Sequence, residues 1–258
     1  MTDAPTITAA AGAVDATKVY GSGDSEVRAL DGVTVQFEAG KFTAIMGPSG
    51  SGKSTLMHSL AGLDGLTSGS VYIGSTALAS LKDKELTELR RREVGFIFQA
   101  YNLIPTLSAE ENIRLPLLLG NSQGDEAWIN RVIDTVGLRD RLKHRPSELS
   151  GGQQQRVAVA RALASKPTII FADEPTGNLD SKTSVEVMGV FQKLNDQGIT
   201  IVMVTHELDI AHYCKRNLIL RDGRIVRDEL VQNRLNAAEE MAKLQQAEAA
   251  AKLTGGAA

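Results

Sequence analysis

The sequence predicts an α/β fold built around a largely parallel sheet. Short apolar runs rich in β-forming residues alternate with longer stretches whose apolar residues recur every three or four positions, as strands and helices do when they follow each other in turn. The runs Thr168–Ala172 and Thr200–Thr205 are apolar almost throughout, which is expected of strands buried on both faces. A chain of 258 residues is long enough for one large domain or two small ones.

The composition excludes several classes of protein. Lys and Arg number 28 against 31 Asp and Glu, so the net charge of −3 provides no basic excess for nucleic acid, and we expect no such partner. The single cysteine, Cys214, can form neither an internal disulfide nor a thiolate zinc site, which fits a reducing cytosol. No apolar run approaches the roughly 18 residues that a membrane span needs.

The elements are predicted in the following order. Residues 1–15 lack the basic start and apolar core of a signal peptide and are predicted to be a disordered tail. The predicted strands are Val33–Phe37, Phe42–Met46, Val94–Phe98, Thr168–Ala172 and Thr200–Thr205. The predicted helices are Ser54–Gly62, Lys82–Glu93, Gln153–Ser165 and Ser181–Gln197.

The remaining segments are predicted to be helical or to form a hairpin. Residues 99–149 contain helical stretches and no convincing strand, which predicts a helical insertion, with the helical subdomain at about 99–165. Arg221-Asp222-Gly223 is a turn signal between two short strands. Residues 229–258 are predicted to form a C-terminal helix over Val231–Leu253 and a tail, and a solvated helix is favoured over one that binds a partner.

A glycine-rich loop follows the strand that ends at Met46. Its residues are Gly47, Pro48, Ser49, Gly50, Ser51, Gly52, Lys53, Ser54 and Thr55. Two glycines with four residues between them, followed by Lys and Ser, are the pattern of a phosphate-binding loop, in which backbone N–H groups and a helix N-terminus hold phosphate oxygens. We expect Lys53 to reach the β- and γ-phosphates, Ser54 to bind Mg²⁺, and Thr55 to lie next to the α-phosphate.

Two acidic residues, Asp173 and Glu174, end a buried apolar strand. A strand of a parallel sheet delivers its last residue to the edge where ligands bind, so Asp173 is predicted to hold Mg²⁺ through water. Glu174 is then placed to polarise the attacking water as a general base. An acidic pair after a strand is also common in surface turns, and the glycine-rich loop is what favours the catalytic interpretation.

A second glycine motif separates this sequence from other proteins with a phosphate-binding loop. The motif is Leu149-Ser150-Gly151-Gly152-Gln153-Gln154-Gln155-Arg156. Its serine and glycines cap a predicted helix and form a second anion site. With this motif the chain resembles the ATP-binding-cassette (ABC) family, whose signature is Leu-Ser-Gly-Gly-Gln followed closely by Arg. The resemblance covers residues 16–228 and implies a RecA-like core with a mostly parallel sheet, an antiparallel β part and a helical subdomain.

The resemblance also implies how ATP is bound. Two copies of the chain are expected to form a head-to-tail homodimer with ATP between them, so that Ser150, Gly151, Gly152 and Gln153 contact the nucleotide of the partner copy. Tyr20 resembles the aromatic residue that stacks on adenine, although a tyrosine near a glycine turn is more often a packing residue. The ligands and cofactors implied are ATP and Mg²⁺.

Three further positions match the family. Gln99 resembles the glutamine that contacts Mg²⁺ and the attacking water, and His206 resembles the histidine that contacts the γ-phosphate. Asn178-Leu179-Asp180 resembles the loop that connects the two ATP sites, while Asp180 has an ordinary competing role as a helix N-cap. The catalytic residues predicted in this way are Glu174, His206, Gln99 and Lys53, and the Mg²⁺ ligands are Ser54, Gln99 and Asp173.

Shorter strings indicate the subgroup. Phe96-Ile97-Phe98-Gln99, Pro146-Ser147-Glu148-Leu149 and Asp173-Glu174-Pro175-Thr176 resemble cassettes of macrolide exporters, lipoprotein-releasing systems and cell-division ATPases. This implies a peripheral ATPase at the cytoplasmic face of the membrane that powers a separate integral-membrane permease subunit. The alternative is the ATPase of an amino-acid importer. A DNA-repair ATPase is disfavoured because only a compact segment separates the loop from the signature, and a translation-type protein because one cassette is present.

Overall fold

The computed structural model describes residues 9–254, which form two β-sheets and eight α-helices. The strands are β1 (Ala9–Tyr20), β2 (Val27–Glu38), β3 (Phe42–Met46), β4 (Ser68–Ile73), β5 (Thr76–Ala77), β6 (Val94–Ile97), β7 (Ile169–Asp173), β8 (Thr200–Val204), β9 (Arg216–Arg221) and β10 (Arg224–Leu230). The α-helices are α1 (Lys53–Leu60), α2 (Asp83–Glu93), α3 (Ala109–Leu119), α4 (Glu126–Val136), α5 (Gly151–Leu163), α6 (Ser181–Asp196), α7 (Leu208–Ala211) and α8 (Ala237–Thr254). No helix in this part of the chain is both long and apolar enough to span a membrane.

The larger sheet has six strands in the order β10-β9-β3-β8-β7-β6, and all neighbouring pairs except β10–β9 are parallel. Parallel strands end at the same edge, so the segments that follow β3, β7 and β8 meet there. These segments carry the glycine-rich loop, the acidic pair and His206. The order of the strands therefore assembles the site from parts as distant in the sequence as Gly47 and His206.

Side chains of the parallel strands alternate between two apolar cores. Ala44, Ile170 and Met203 belong to the core that includes helices α3 to α6. Ile45 and Phe171 belong to the second core, which contains α1 and the smaller sheet. Both faces of the sheet are therefore covered, which explains why every residue of a strand such as Thr200–Val204 is buried and all but its first are apolar.

The stretch between β6 and β7 contains α3, α4 and α5 and, among the described residues, no strand. The indole N–H of Trp128 in α4 donates to the carbonyl of Leu163 in α5 at 2.7 Å, inside the core. Capping residues begin each helix: Ser108 caps α3, Asp125 caps α4 and Ser150 caps α5. These helices occupy the segment for which the sequence predicts a helical insertion.

The smaller sheet is antiparallel, in the order β2-β1-β4-β5. Its first strand shows that the prediction of a disordered tail over residues 1–15 is wrong for residues 9–15. Residues 9–15 are part of β1 rather than of a disordered tail, while residues 1–8 lie outside the described part of the chain. Ala10, Ala11 and Ala13 are buried between neighbouring strands. Alanine has a weak intrinsic preference for strands, so this strand forms because of tertiary packing and not because of a local pattern.

The hairpin prediction at the end of the larger sheet is confirmed. β9 and β10 are antiparallel, and Arg224 pairs with Arg221 across a two-residue turn. Asp222 and Gly223 both have positive φ, 50° and 75°. This conformation matches the right-handed twist of the strands and is the reason why Asp-Gly favours such turns.

The C-terminal helix α8 begins at Ala237, six residues later than the start predicted from composition. The preceding segment is tied to the core through Gln192 of α6, which is 8% exposed. The side-chain amide of Gln192 donates to the carbonyls of Tyr213 and Leu235, at 3.0 and 2.7 Å, and accepts from the N–H of Ala237 at 3.0 Å. One side chain thus anchors the start of α8.

Replacing Gln192 by Ala is expected to lower the free energy of unfolding by about 2–3 kcal/mol, because three buried backbone groups lose their partner. Urea denaturation of the variant measures this loss. Lys193→Ala, at the exposed neighbouring position, is the control and is expected to change stability by less than about 0.5 kcal/mol. Equal effects of the two substitutions would contradict the anchoring role of Gln192.

Candidate active site

The glycine-rich loop joins the end of β3 to the first turn of α1. Gly47, Gly50 and Gly52 have φ values of 146°, 78° and 98°, which side chains disfavour. A Cβ atom on Gly47 would lie 2.1 Å from the carbonyl oxygen of Leu220, and one on Gly52 would lie 2.2 Å from that of Ala29. The loop therefore needs glycine for its conformation and for the close approach of other backbone.

We expect Gly47→Ala to lower the free energy of unfolding by more than about 3 kcal/mol, because the added methyl group collides with the carbonyl of Leu220. Gly50→Ala is the matched control: φ is also positive there, but apart from Gly50 and its two chain neighbours no heavy atom lies within 4 Å of the added Cβ. The control is expected to cost about 1 kcal/mol. Chemical denaturation without nucleotide separates the two, and a larger loss for Gly50→Ala would contradict the packing argument.

Lys53 is buried at the start of α1, with 7% of its surface exposed. Its ammonium group donates to the carbonyls of Gly47 and Pro48, at 2.9 and 2.8 Å. An ammonium group has three N–H donors, so these bonds fix its position within the loop and leave capacity for an anion. The loop residues 49–55 line a cavity of about 580 Å³, together with Val27, Ala29, Glu174 and His206.

The carboxylate of Asp173 lies at the end of β7, facing α1. Its Oδ1 atom is 3.5 Å from the Ser54 hydroxyl, and its Oδ2 atom is 3.7 Å from Nε2 of His58. Burial raises the pKa of Asp173 above its usual value, and this outweighs the opposing effect of His58. A half-buried carboxylate beside a hydroxyl is the kind of oxygen donor pair that a magnesium ion with nucleotide phosphates requires.

Glu174 and His206 form a pair at the cavity. Glu174 has φ of 43°, and its N–H donates to the carbonyl of Val204 at the end of β8. This left-handed conformation turns the chain sharply after β7. Nδ1 of His206 lies 3.0 Å from Oε1 of Glu174, so each side chain fixes the direction of the other. The pair lines the same cavity as the loop that carries Lys53.

Gln99 lies against the segment that follows Glu174. Its backbone carbonyl accepts a hydrogen bond of 3.0 Å from the side chain of Asn178, and its Nε2 atom lies 2.9 Å from the position that a Cβ on Gly177 would occupy. The N–H of Gly177 donates to the carbonyl of Glu174. The structure thus brings Gln99 into contact with the turn that begins at the proposed general base.

The signature motif is separate from this cavity. Among the described residues that line the cavity, none belongs to segment 150–153. Ser150 is exposed and caps α5, with its hydroxyl 3.3 Å from the N–H of Gln153 and its own N–H 2.9 Å from that side chain. A Cβ on Gly152 would lie 2.3 Å from Thr183 of α6. Within one chain, the two anion sites predicted from the sequence therefore remain apart.

Asp180 is the N-cap residue of helix α6, which is the competing role expected from the sequence. Its carboxylate accepts hydrogen bonds from the N–H and the hydroxyl of Thr183, at 2.9 and 2.6 Å, and caps α6. These bonds lower the pKa of Asp180 below its usual value. The same cap places Thr183 against Gly152, so the loop containing Asn178 is joined to the signature helix by direct packing.

Some residues at the site were not identified from the sequence. His58 approaches Asp173 from α1, and the only available signal was its position one turn after Ser54. Asp64 accepts a hydrogen bond from the Tyr20 hydroxyl and Lys18 lies over the Tyr20 ring, although these three are not among the described residues that line the cavity. Among the described residues no cluster of three or more His, Cys, Asp or Glu could hold a metal ion. A metal at Ser54 and Asp173 therefore needs oxygen atoms from a ligand such as a nucleotide phosphate.

Comparison with known proteins identifies the family. The family described as "ABC transporter" matches residues 30–177, more than half of the chain. The chain belongs to the ABC transporter family. This membership confirms the predicted ABC-type fold and the predicted class of ATPase.

Some relatives of this ABC cassette match it over nearly their whole length, and others match it over only about a third of theirs. It is 50% identical over 213 residues to the uncharacterised ABC transporter ATP-binding protein MJ1508 of Methanocaldococcus jannaschii, covering 81% of this chain and 94% of that protein. It is also 50% identical over 215 residues to the macrolide export ATP-binding/permease protein MacB of Bdellovibrio bacteriovorus, covering 83% of this chain but only 33% of that protein. The chain therefore spans about a third of its MacB relatives.

A solved structure of similar fold is the dimeric ATP-binding cassette MJ0796 in a post-hydrolysis state with ADP and Pi. It is 42% identical to this ABC cassette, with a TM-score of 0.77, and the match covers 86% of this chain and 99% of that one. A second dimeric structure of MJ0796 is 43% identical, with the same TM-score. The similarity therefore extends over nearly the whole cassette.

Proposed function

We propose that this chain binds ATP with Mg²⁺ in the cavity of the glycine-rich loop and hydrolyses it. The backbone of residues 47–55 and the Lys53 ammonium hold the phosphates, and Ser54, Asp173 and Gln99 hold the metal ion. Glu174 accepts the proton of the attacking water, and His206 contacts the γ-phosphate. Phosphoryl transfer depends mainly on positioning and on stabilisation of charge, and these residues supply both.

One observation carries this proposal. The Glu174–His206 pair and Lys53 line the same cavity, with 3.0 Å between Nδ1 of the histidine and Oε1 of the glutamate. An anion held by Lys53 and the loop N–H groups therefore lies in the same cavity as a carboxylate that can accept a proton. A phosphate-binding protein without hydrolytic activity would not need this pair.

The active form is proposed to be a homodimer. Ser150 is exposed at the N-terminus of α5 and lies outside the cavity of its own chain, so closure of two copies is needed to bring the signature segment to a phosphate. The N–H groups and the partial positive charge of a helix N-terminus favour an anion at this position. The dimeric MJ0796 structures support this arrangement.

The requirement for a homodimer can be tested directly through the rate of ATP hydrolysis. The ATPase rate per chain is expected to rise with protein concentration until dimers predominate, since a monomer holds only part of each site. Steady-state hydrolysis is measured over a hundredfold range of chain concentration to give the rate per chain. Sedimentation analysis in ATP over the same range gives the fraction of dimer. A rate per chain that stays constant while the protein remains monomeric would contradict the dimer.

We also propose that the cassette works at the cytoplasmic face of the membrane with a separate permease subunit, in export or mechanical work. The support comes from relatives named for macrolide export, in which an ATP-binding part and a permease are named together. Purification of the full chain from detergent-solubilised native membranes tests the partner. A subunit with few spans and a large external domain is expected, and a compact importer permease with a solute-binding protein would contradict export.

A further inference from the structure

Two charged side chains, those of Lys18 and Asp64, hold the ring of Tyr20. The ammonium group of Lys18 lies 4.8 Å from the centroid of the ring. The same ammonium donates to Oδ1 of Asp64 at 2.6 Å, and the Tyr20 hydroxyl donates to Oδ2 of that carboxylate at 2.5 Å. Asp64 therefore joins the edge of the ring to the cation that sits over one of its faces.

The cation is less accessible than the ring it covers. The side chain of Lys18 is 14% exposed and that of Asp64 is 30% exposed, whereas Tyr20 is 42% exposed. Lys18 also donates to the carbonyl of Gly65 at 2.5 Å. With two fixed acceptors, the ammonium cannot turn away from the ring without losing both bonds, and its partial burial reduces screening by salt.

Backbone bonds connect this cluster to the phosphate-binding loop. The N–H of Asp64 donates to the carbonyl of His58 in α1, the helix that begins at Lys53. The N–H of Val19 donates to the Thr67 hydroxyl at 2.9 Å, which ties β1 to the same turn. The position of the Tyr20 ring relative to the loop is therefore set by α1 and by β1 together.

The charges and donors of the cluster are well defined at neutral pH. Burial opposes ionisation of Asp64, but hydrogen bonds from Lys18 and Tyr20 outweigh it, so the pKa of Asp64 lies below its usual value. Burial and the bond to Asp64 raise the pKa of Tyr20. The carboxylate is consequently ionised and the phenol remains a donor, as the contacts require.

We propose that Lys18 and Asp64 are positioning residues for the base of the bound nucleotide. The inference rests on the proposed stacking of adenine on Tyr20. Lys18 lies over the ring, and Tyr20 is still 42% exposed, so the ring remains accessible to a base. A cation over one face draws electron density from the ring and favours stacking with the electron-rich adenine on the other. A ring held in place before binding also loses less conformational freedom when the base arrives.

The test compares a ligand that has a base with one that lacks it. Lys18→Met, which keeps an unbranched apolar stem without the charge, is expected to raise the dissociation constant for ATP by about fivefold. The affinity for inorganic tripolyphosphate with Mg²⁺ is expected to stay the same, as is kcat at saturating ATP. Lys18→Arg restores the cation and is expected to recover ATP affinity. Lys41→Met, at an exposed lysine before β3, is the matched control.

Tyr20→Ala separates failure of this inference from failure of the proposed stacking. If Tyr20→Ala weakens ATP binding and Lys18→Met does not, the positioning role is wrong and the stacking stands. If Tyr20→Ala leaves ATP affinity unchanged, the stacking itself is wrong. An equal loss of tripolyphosphate affinity in Lys18→Met would show a general structural role and overturn the inference. In a Tyr20→Ala background, Lys18→Met is expected to have no further effect.

Discussion

Glu174→Gln is expected to reduce steady-state ATP turnover by about a hundredfold or more while ATP binding is retained. An amide is isosteric with the carboxylate but cannot accept the proton of the attacking water, and general base catalysis contributes about 10²–10⁴ in rate. The amide also keeps a polar atom next to Nδ1 of His206, which lies 3.0 Å from Oε1 in the native pair. The cavity therefore keeps its shape and its phosphate-binding atoms.

Two measurements check this prediction. Phosphate release gives the turnover, and gel filtration with light scattering in ATP and Mg²⁺ gives the oligomeric state, for which a lasting dimer is expected because hydrolysis no longer opens it. Glu88→Gln, which changes an exposed glutamate on α2, is the control and should behave like the native protein. Undiminished turnover in Glu174→Gln would remove Glu174 as the base, and lost ATP binding would show that its role is structural.

Ser150→Arg is expected to prevent the ATP-dependent dimer and to lower turnover by about a hundredfold, with less than about a twofold change in ATP affinity of the monomer. The reason is geometric, because the signature segment lies outside the cavity of its own chain. A long cationic side chain there blocks closure on a phosphate of the partner copy and leaves Lys53 and the loop untouched.

The experiment is best done in the Glu174→Gln background, where the dimer persists long enough to be measured. Ser150 also caps α5, and loss of the cap alone costs about 1 kcal/mol, so Ser150→Ala measures that part separately. Ser122→Arg adds the same side chain to an exposed serine on the connection from α3 to α4. If Ser150→Arg abolished ATP binding to the monomer, the two-copy site would be the wrong arrangement.

Predictions from the sequence succeeded where a short segment carries its own physical reason. The glycine-rich loop stands out in the sequence because its glycines, lysine and serine must stand at set spacings. The structure shows Gly47 and Gly52 in close contact with other backbone, while phosphate binding by the loop stays a prediction. The caps Ser150 and Asp180 were identified because a helix start needs a side-chain acceptor. Such features depend on neighbours within a few residues.

Predictions failed where the deciding contacts come from far along the chain. The alanines of β1 show no local strand pattern, and they form a strand because β2 and β4 pair with them on both sides. The sequence predicts too early a start for α8, because the residue that anchors Ala237 is Gln192, 45 residues away. Helix-forming composition alone does not reveal such an anchor.

The sequence by itself determined the α/β class and the family, and it predicts the residue types of the site, since these depend on periodicity, strand ends and motifs with fixed spacing. Tertiary structure alone decided which groups touch: Glu174 with His206, Gln99 with the turn at Gly177, and Tyr20 with Asp64, which is 44 residues away. The physical reason is that local backbone geometry acts over a few residues, whereas the order of strands in a sheet brings distant side chains together.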